Sequence, residues 1–345
     1  MAIRVLIVDD SFVVRRVLEE GLLRHSDIEV MASVADPLFA MEKMEVEWPD
    51  VLVLDVEMPR MDGVTFLKRI MTTRPTPVVI CSSLVQAGAD TSVQALQSGA
   101  FAIIPKPKLG VRDFLESAAD DLAGIIRAAA SSRIQKLVPT TPSAIEVPSR
   151  SENGKTDAPR LVAIGCSTGG TQALEMILQA LPRGCPGMVV VQHMHSELVQ
   201  AFAENLNRSL PLNVKVAENG DRIIPGWVFL APGDRHLTVE RDDSGWRCHL
   251  KEGPLVSKHC PSVDVLFRSV AKEAGSHATG FVLTGMGEDG ARGLKEMRDA
   301  GASTYAQDEE SCVVFGMSKE AIKLGAAQRV VSLGEIPHII AGYGV

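Results

Sequence analysis

The sequence predicts an α/β protein built from two doubly wound domains joined by a polar linker. Three observations predict it. Short apolar runs alternate with stretches of helical periodicity through residues 1–127, the pattern of a parallel sheet flanked by helices. The rhythm stops over 128–158, where Pro139-Thr140-Thr141-Pro142-Ser143, Pro148-Ser149-Arg150-Ser151 and Asn153-Gly154-Lys155 supply turn and linker chemistry. It resumes over 159–345. A chain of 345 residues also exceeds the roughly 250–300 residues at which single cores stop growing.

In the first domain, residues 3–8 form a continuous apolar strand and 12–23 carry helical spacing. Strands then follow at 28–32, 51–54, 78–81 and 101–104, with helices near 37–45, 64–71, 91–97 and 111–127. These make five βα units in a five-stranded parallel sheet, with ligands expected at the carboxyl ends of its strands. In the second domain, strands are expected at 161–165, 188–192, 279–284, 303–306 and 329–332. The stretch 214–250 reads differently. Short β-like runs at 227–230, 237–240 and 246–250 are separated by Pro232-Gly233-Asp234 and Asp243-Ser244-Gly245. They predict an antiparallel hairpin insert in a larger, mainly parallel sheet.

Composition narrows the class of function. The net charge is -8, which argues against nucleic acid or an anionic membrane as the main partner. No apolar run approaches the roughly 20 residues that span a bilayer, and Met1-Ala2-Ile3-Arg4 lacks a secretory signal pattern. The six cysteines include no C-x-x-C pair, so they read as reduced thiols of a cytoplasmic protein.

Chemistry-bearing residues gather at strand ends. Asp9 and Asp10 end the first strand, Asp55 the third, Ser82 the fourth and Lys106 the fifth. A single aspartate after a strand is commonly a turn or cap residue. Three on one sheet edge repel one another and invite a hard divalent cation, most simply Mg²⁺. With a lysine ammonium beside it, such a site suits a phosphoryl group arriving at Asp55.

The second domain places Ser167 in Gly165-Cys166-Ser167-Thr168-Gly169-Gly170, between a strand and a helix. Glycines on both sides are expected to bend the backbone and lift the hydroxyl clear of the sheet. A serine needs a base, and His193 ends the next strand. The imidazole needs an orienting acid. Asp289, in the glycine-rich loop Gly285-Met286-Gly287-Glu288-Asp289-Gly290, is the best candidate. Read alone, Asp289 would simply cap the helix that follows it. The Met286 backbone N–H in the same loop is a candidate oxyanion donor. Cys166 is a rival nucleophile, but adjacent extended residues face opposite ways and the turn favours Ser167. The order Ser167, His193, Asp289 differs from that of an α/β-hydrolase. His338, late enough to serve that fold, follows what reads as a helix start.

Residues 3–122 resemble a response-regulator receiver domain of flavodoxin-like fold. That resemblance implies Asp55 as phospho-acceptor, Mg²⁺ held by Asp9, Asp10 and Asp55, and Ser82 and Lys106 on the phosphoryl group. It also implies a cis Lys106-Pro107 bond, while Pro105 is an unusual residue before the lysine. Residues 161–333 resemble the catalytic domain of the chemotaxis protein-glutamate methylesterases. The matching blocks are residues 164–170, Gln192-His193-Met194, Ala231-Pro232-Gly233-Asp234-Arg235-His236, Pro261-Ser262-Val263-Asp264-Val265-Leu266-Phe267, residues 283–290 and residues 311–317. The resemblance implies Ser167 as nucleophile, His193 as base and Asp289 as orienter, with Thr168 and Met286 at the oxyanion and substrate. It implies hydrolysis of glutamate methyl esters, and deamidation of glutamines, on the helices of chemoreceptors, under control of a histidine kinase. Cys166, where the family often has serine, and Ser318, where proline is usual, depart from the pattern. Rival readings are a phosphorylation-controlled binding module and a DNA-binding output, the latter disfavoured by the acidic chain.

Overall fold

The computed structural model describes residues 2–82, 86–106, 111–132 and 160–342. The chain divides into two compact units, Met1–Pro139 and Thr140–Val345.

The first unit alternates β1 (Ile3–Val8), α1 (Phe12–Leu22), β2 (Ile28–Val34), α2 (Pro37–Val46), β3 (Val51–Asp55), α3 (Gly63–Thr73), β4 (Val78–Ser82), α4 (Gln86–Gln97), β5 (Ala102–Pro105) and α5 (Val111–Ser131). The strand order is β2-β1-β3-β4-β5, with every pairing parallel. Val51–Asp55 and Val78–Ser82 are buried throughout, covered on both faces, which is why each is apolar up to the polar residue that closes it. Helix starts are written in the sequence. Ser11, Asp36 and Asp62 each accept a backbone N–H from the first turn of α1, α2 and α3. The last helix runs four residues past the expected boundary at 127. The rest of the expected linker from 133, and Pro107 with its peptide bond, lie outside the described residues.

The second unit contains β6 (Leu161–Cys166), α6 (Gly170–Gln179), β7 (Gly187–Gln192), α7 (Ser196–Ser209), β8 (Asn213–Val216), β9 (Trp227–Leu230), β10 (His236–Asp242), β11 (Gly245–Lys251), α8 (Val263–Glu273), β12 (Ala278–Val282), α9 (Ala291–Asp299), β13 (Ser303–Gln307), α10 (Met317–Lys323), β14 (Arg329–Val331) and α11 (Ile336–Gly342). A seven-stranded sheet has the order β14-β13-β12-β6-β7-β9-β8, and β10 with β11 form a separate antiparallel pair. All pairings in the large sheet are parallel.

The stretch expected to be an insert is therefore divided. Run 227–230 joins the main sheet beside β7, and only the later two runs make the hairpin. The cause is burial. Val228 to Leu230 are covered on both faces, whereas β10 and β11 bury one face against α8 through Val239, Trp246, Cys248 and Leu250. The chain leaves β6 toward β7 on one side, while β12 lies on the other. Strand direction around the sheet thus switches at β6, and the crevice beyond the carboxyl ends of β6, β7 and β12 is where a doubly wound sheet takes its ligand.

Candidate active site

In the first unit, Asp9, Asp10 and Asp55 each offer an oxygen within 4.8 Å of the others. Asp9 and Asp55 are buried, and Asp10 is exposed. The Lys106 ammonium lies 2.7 Å from Asp55 Oδ2 and 3.3 Å from Asp9 Oδ2. Pro105 does not displace it, because the Lys106 N–H resumes the ladder with a 2.8 Å bond to the Ser82 carbonyl. Burial pushes the Asp55 carboxyl up to about 6, with the Asp9 charge adding to it and Lys106 opposing. Burial also raises Asp9. Lys106 would lose its proton more easily through burial, but the two aspartates outweigh that and raise it. The buried Ser82 hydroxyl accepts a 3.0 Å bond from the Ser92 hydroxyl. An all-oxygen set, with Asp9 Oδ2 buried and without a hydrogen bond of its own, fits a hard divalent cation.

In the second unit, the loops after β6, β7 and β12 carry Ser167, His193 and Asp289 to one sheet edge. Cys166 pairs with Gln192 in the β6–β7 register, so Ser167 and His193 are the next residues on adjacent strands. The glycines around Ser167 divide their labour. Gly169, at φ 79°, makes the left-handed turn into α6. Gly165 lies within β6, where a Cβ would fall 2.1 Å from Val263, so its role is close packing rather than bending. Gly285 has the same function on the other side, since a Cβ there would lie 2.8 Å from Ser167 Cβ.

His193 Nε2 lies 2.8 Å from Asp289 Oδ2. That carboxylate also accepts from the Ser262 hydroxyl at 2.8 Å, the Val263 N–H at 2.8 Å and the Asp264 N–H at 3.0 Å. Burial alone would raise Asp289, but its bond to His193 and its backbone donors outweigh burial and hold it below the usual carboxylate value. An ionised acceptor at Nε2 fixes the proton on that nitrogen. Nδ1 is then the basic nitrogen, and it is buried without a hydrogen-bond partner. The ring thus presents to its surroundings the opposite nitrogen from the familiar triad, in which Nδ1 faces the aspartate. The Ser167 hydroxyl makes no hydrogen bond among the described residues; such contacts often tighten only on substrate binding. Nor do the Thr168 and Met286 N–H groups donate to any described acceptor, and Met286 is exposed. Cys166 is fully buried, and burial raises its thiol well above the ordinary value.

Asp289 does not cap the helix that follows it. It caps α8, through Val263 and Asp264. Asp264, in the first turn of α8, returns the favour by accepting from Gly290 and Gly293 at the start of α9, at 3.1 and 2.7 Å. In the sequence, Ser262 and Asp264 stand within a matching block with no role of their own. The available signal was a serine cap followed by an acid in the first helical turn.

His259 was missed altogether. Its ring stacks on His193 with centroids 3.7 Å apart and planes 11° from parallel. A two-residue turn from Val256 to His259 holds it there, with Ser257 and Lys258 at φ 50° and 70°. The Ser257 hydroxyl anchors that turn to Asp264 at 3.0 Å. Left-handed backbone at two non-glycine residues costs of order 1–3 kcal/mol each, and such strain gathers at functional sites. Burial and the neighbouring His193 lower His259 to about 4, so its ring is neutral near pH 7.

A second serine also meets Asp289, with a histidine behind it. The Ser262 hydroxyl is completely buried and points at the carboxylate. His236 accepts from the Ser262 N–H through Nδ1 at 3.2 Å and meets the Pro254 carbonyl through Nε2 at 3.0 Å. Both ring nitrogens are occupied by backbone, so this set braces the carboxylate. His195 and His338 are exposed. Asp9, Asp10 and Asp55 are the one metal-type cluster found among the described residues.

Residues 162–340 match the CheB methylesterase family, and residues 5–116 match the response regulator receiver domain. The chain is 56% identical over 350 aligned residues to protein-glutamate methylesterase/protein-glutamine glutaminase 2 of Pseudomonas syringae pv. tomato, covering 98% of each chain. It is 55% identical to the corresponding protein 2 of Chromobacterium violaceum, covering 96% of this chain and 98% of that one. Among solved structures, the Thermotoga maritima CheB methylesterase catalytic domain aligns at 36% identity with a TM-score of 0.52, covering 54% of this chain and 99% of that one. With the sheet order, the strand-end residues and these matches in agreement, the chain belongs to the CheB family of protein-glutamate methylesterases/glutaminases, with a receiver domain ahead of its catalytic domain.

Proposed function

We propose that this chain hydrolyses glutamate methyl esters, and deamidates glutamine side chains, on chemoreceptor helices by way of an acyl-enzyme on Ser167. The observation that carries the residue assignment is the His193–Asp289 bond, which leaves a basic Nδ1 unpartnered at the edge where Ser167 emerges. The Ser167 hydroxyl attacks the ester or amide carbonyl carbon while Nδ1 takes its proton. The free N–H groups of Thr168 and Met286 receive the oxyanion. Collapse expels methanol or ammonia, which leaves with the proton from His193. Water then attacks the acyl-enzyme, again giving its proton to Nδ1, and a glutamate carboxylate is released. Asp289 stays ionised throughout and stabilises the imidazolium.

Control comes from the receiver. Asp55 takes the phosphoryl group from a histidine kinase, with the Lys106 ammonium and the Ser82 hydroxyl on its oxygens. Asp9, Asp10 and Asp55 would hold Mg²⁺, which when bound neutralises charge on the transferred group. Phosphorylation shifts a two-state equilibrium toward the active form. Among the described residues no helix is long and apolar enough to cross a membrane, and we place the protein in the cytoplasm, where receptor helices and kinase are accessible.

The test is methanol release from methylated receptor membranes, with and without a small phosphodonor and Mg²⁺. Release that depends on Ser167 and rises with phosphodonor supports the reading. Release retained in Ser167→Ala and lost in Cys166→Ala transfers the role to the thiol. Equal stimulation of Asp55→Ala and wild type rejects the phospho-switch.

A further inference from the structure

Gln192 closes β7, directly before His193 and opposite Cys166. It is only 4% exposed. Its carboxamide nitrogen donates to two backbone carbonyls, that of Ser167 at 2.9 Å and that of His193 at 3.2 Å. One NH₂ group therefore ties together the two residues whose side chains must exchange a proton. The backbone itself provides one neighbouring tie, from the His193 N–H to the Cys166 carbonyl at 3.1 Å. Beyond it the chain departs toward two different helices, α6 and α7.

The amide orientation follows from its partners. Turned over, it would set Oε1 against two carbonyl oxygens. As placed, Oε1 is buried with no hydrogen-bond partner. A buried acceptor left unpaired is destabilising, and a side chain of similar shape without polar atoms would avoid that cost. Simple packing thus gives no reason for glutamine here, whereas its two donated bonds do. Room for the carboxamide comes from Gly170, the first residue of α6. A Cβ at that position would lie 2.2 Å from Oε1, nearer than to the Cys166 side chain at 2.8 and 3.0 Å.

We propose that Gln192 is a positioning residue whose carboxamide clamps the Ser167 and His193 loops at the separation proton transfer requires, and that Gly170 lacks a side chain to admit it. The inference rests on the assignment of Ser167 and His193 made above. Both donated bonds go to main-chain oxygens and neither goes to the imidazole. The clamp therefore sets distance and leaves the basicity of the ring alone. A misplacement of about 1 Å in such a pair costs on the order of a hundredfold in rate.

The experiment measures ester hydrolysis by the full chain, and the rate at which a fluorophosphonate labels Ser167, read by mass spectrometry across pH. Gln192→Met, Gln192→Glu and Gly170→Ala are compared with wild type well below each variant's melting temperature. Gln192→Met is expected to lose about ten- to a hundredfold in kcat, with KM and the pH midpoint of labelling unchanged. Gly170→Ala, which keeps the amide but takes its space, should lose rate in the same way. Should Gln192→Met fail to fold, the similarly sized Gln192→Glu replaces the donors with an acceptor and is expected to lose at least as much. Folded Gln192 variants with wild-type kcat and labelling rate would overturn the clamp, as would a shifted pH midpoint. Failure of wild type to label at Ser167 would instead sink the parent assignment, so the two failures are distinct.

Discussion

Asp55 closes a strand and Asp289 sits in the loop after one, but both lie at the carboxyl side of a parallel sheet and both are almost wholly buried. Their proton affinities nevertheless move in opposite directions. Asp55 has the Lys106 ammonium, one backbone N–H from Glu57 at 3.2 Å, and the Asp9 carboxylate as a neighbour. Burial wins there, and its carboxyl rises to about 6. Asp289 faces His193, the Ser262 hydroxyl and two N–H groups at the start of α8, and those bonds win over burial. Burial by itself does not set the chemistry of a carboxylate; the supply of donors does. The under-supplied aspartate keeps lone pairs free for an incoming electrophile. The saturated one has none to spare and can only hold its partner in place.

The sharpest way to break this contrast begins with the proposed nucleophile. Ser167→Ala should reduce ester hydrolysis by about 10⁵–10⁶-fold and leave the melting temperature unchanged, measured by methanol release and calorimetry. Asp289→Asn should cost about 10⁴-fold in kcat by upsetting the imidazole tautomer. Because it turns a donor toward donors in a buried network, it should also destabilise the catalytic unit by about 3 kcal/mol. Asp55→Asn should behave in the opposite sense. In a chelating buffer at pH 7 it should stabilise the first unit by about 1 kcal/mol, since an acid whose folded pKa is raised loses stability as pH climbs through that value. Equal destabilisation by the two asparagines would refute the contrast.

The pH dependence sharpens it further. A depressed acid such as Asp289 contributes stability above its unfolded value of 3.8, and that contribution is lost as pH falls through the folded value. His259 is a base lowered from 6.5 to about 4, so the unfolded chain binds its proton first as pH falls across that window. Wild type should then lose about 2 kcal/mol more stability between those two pH values than His259→Phe, which keeps a stacked ring without the titration. Chemical denaturation at several pH values checks this. The smallest effect is expected at Cys166. Cys166→Ala should keep hydrolysis within about twofold and cost about 1 kcal/mol of stability for the lost buried sulfur, and iodoacetamide should not inactivate the native protein.

Both sheets were legible because strands buried on two faces must be apolar along their length, as in residues 51–54 and Leu161–Cys166. The strand-end residues Asp9, Asp55, Ser167 and His193 were legible for a related reason, as polar residues placed just where an apolar run stops. Trp227–Leu230 was misplaced because a short apolar run carries no mark of which strand it will join. His259 left no signal of that kind. It lies in a loop, far along the chain from His193, and its position depends on a turn whose central residues, Ser257 and Lys258, are not the glycine or asparagine that such a backbone usually advertises. The reciprocal bonds of Asp264 and Asp289 were hidden likewise, since each aspartate serves a helix other than the one its neighbours in sequence suggest.

That exchange of caps makes Asp289 a keystone as well as the proposed orienter. Two packed helices, α8 and α9, are each begun by a carboxylate borrowed from the other's segment. A silent decoy of this protein, wanted for trapping its substrate, is therefore poorly made at position 289, where the scaffold would loosen together with the chemistry. Position 167 bears no such double duty, and an inert chain made there would keep its shape for the partner it is meant to hold.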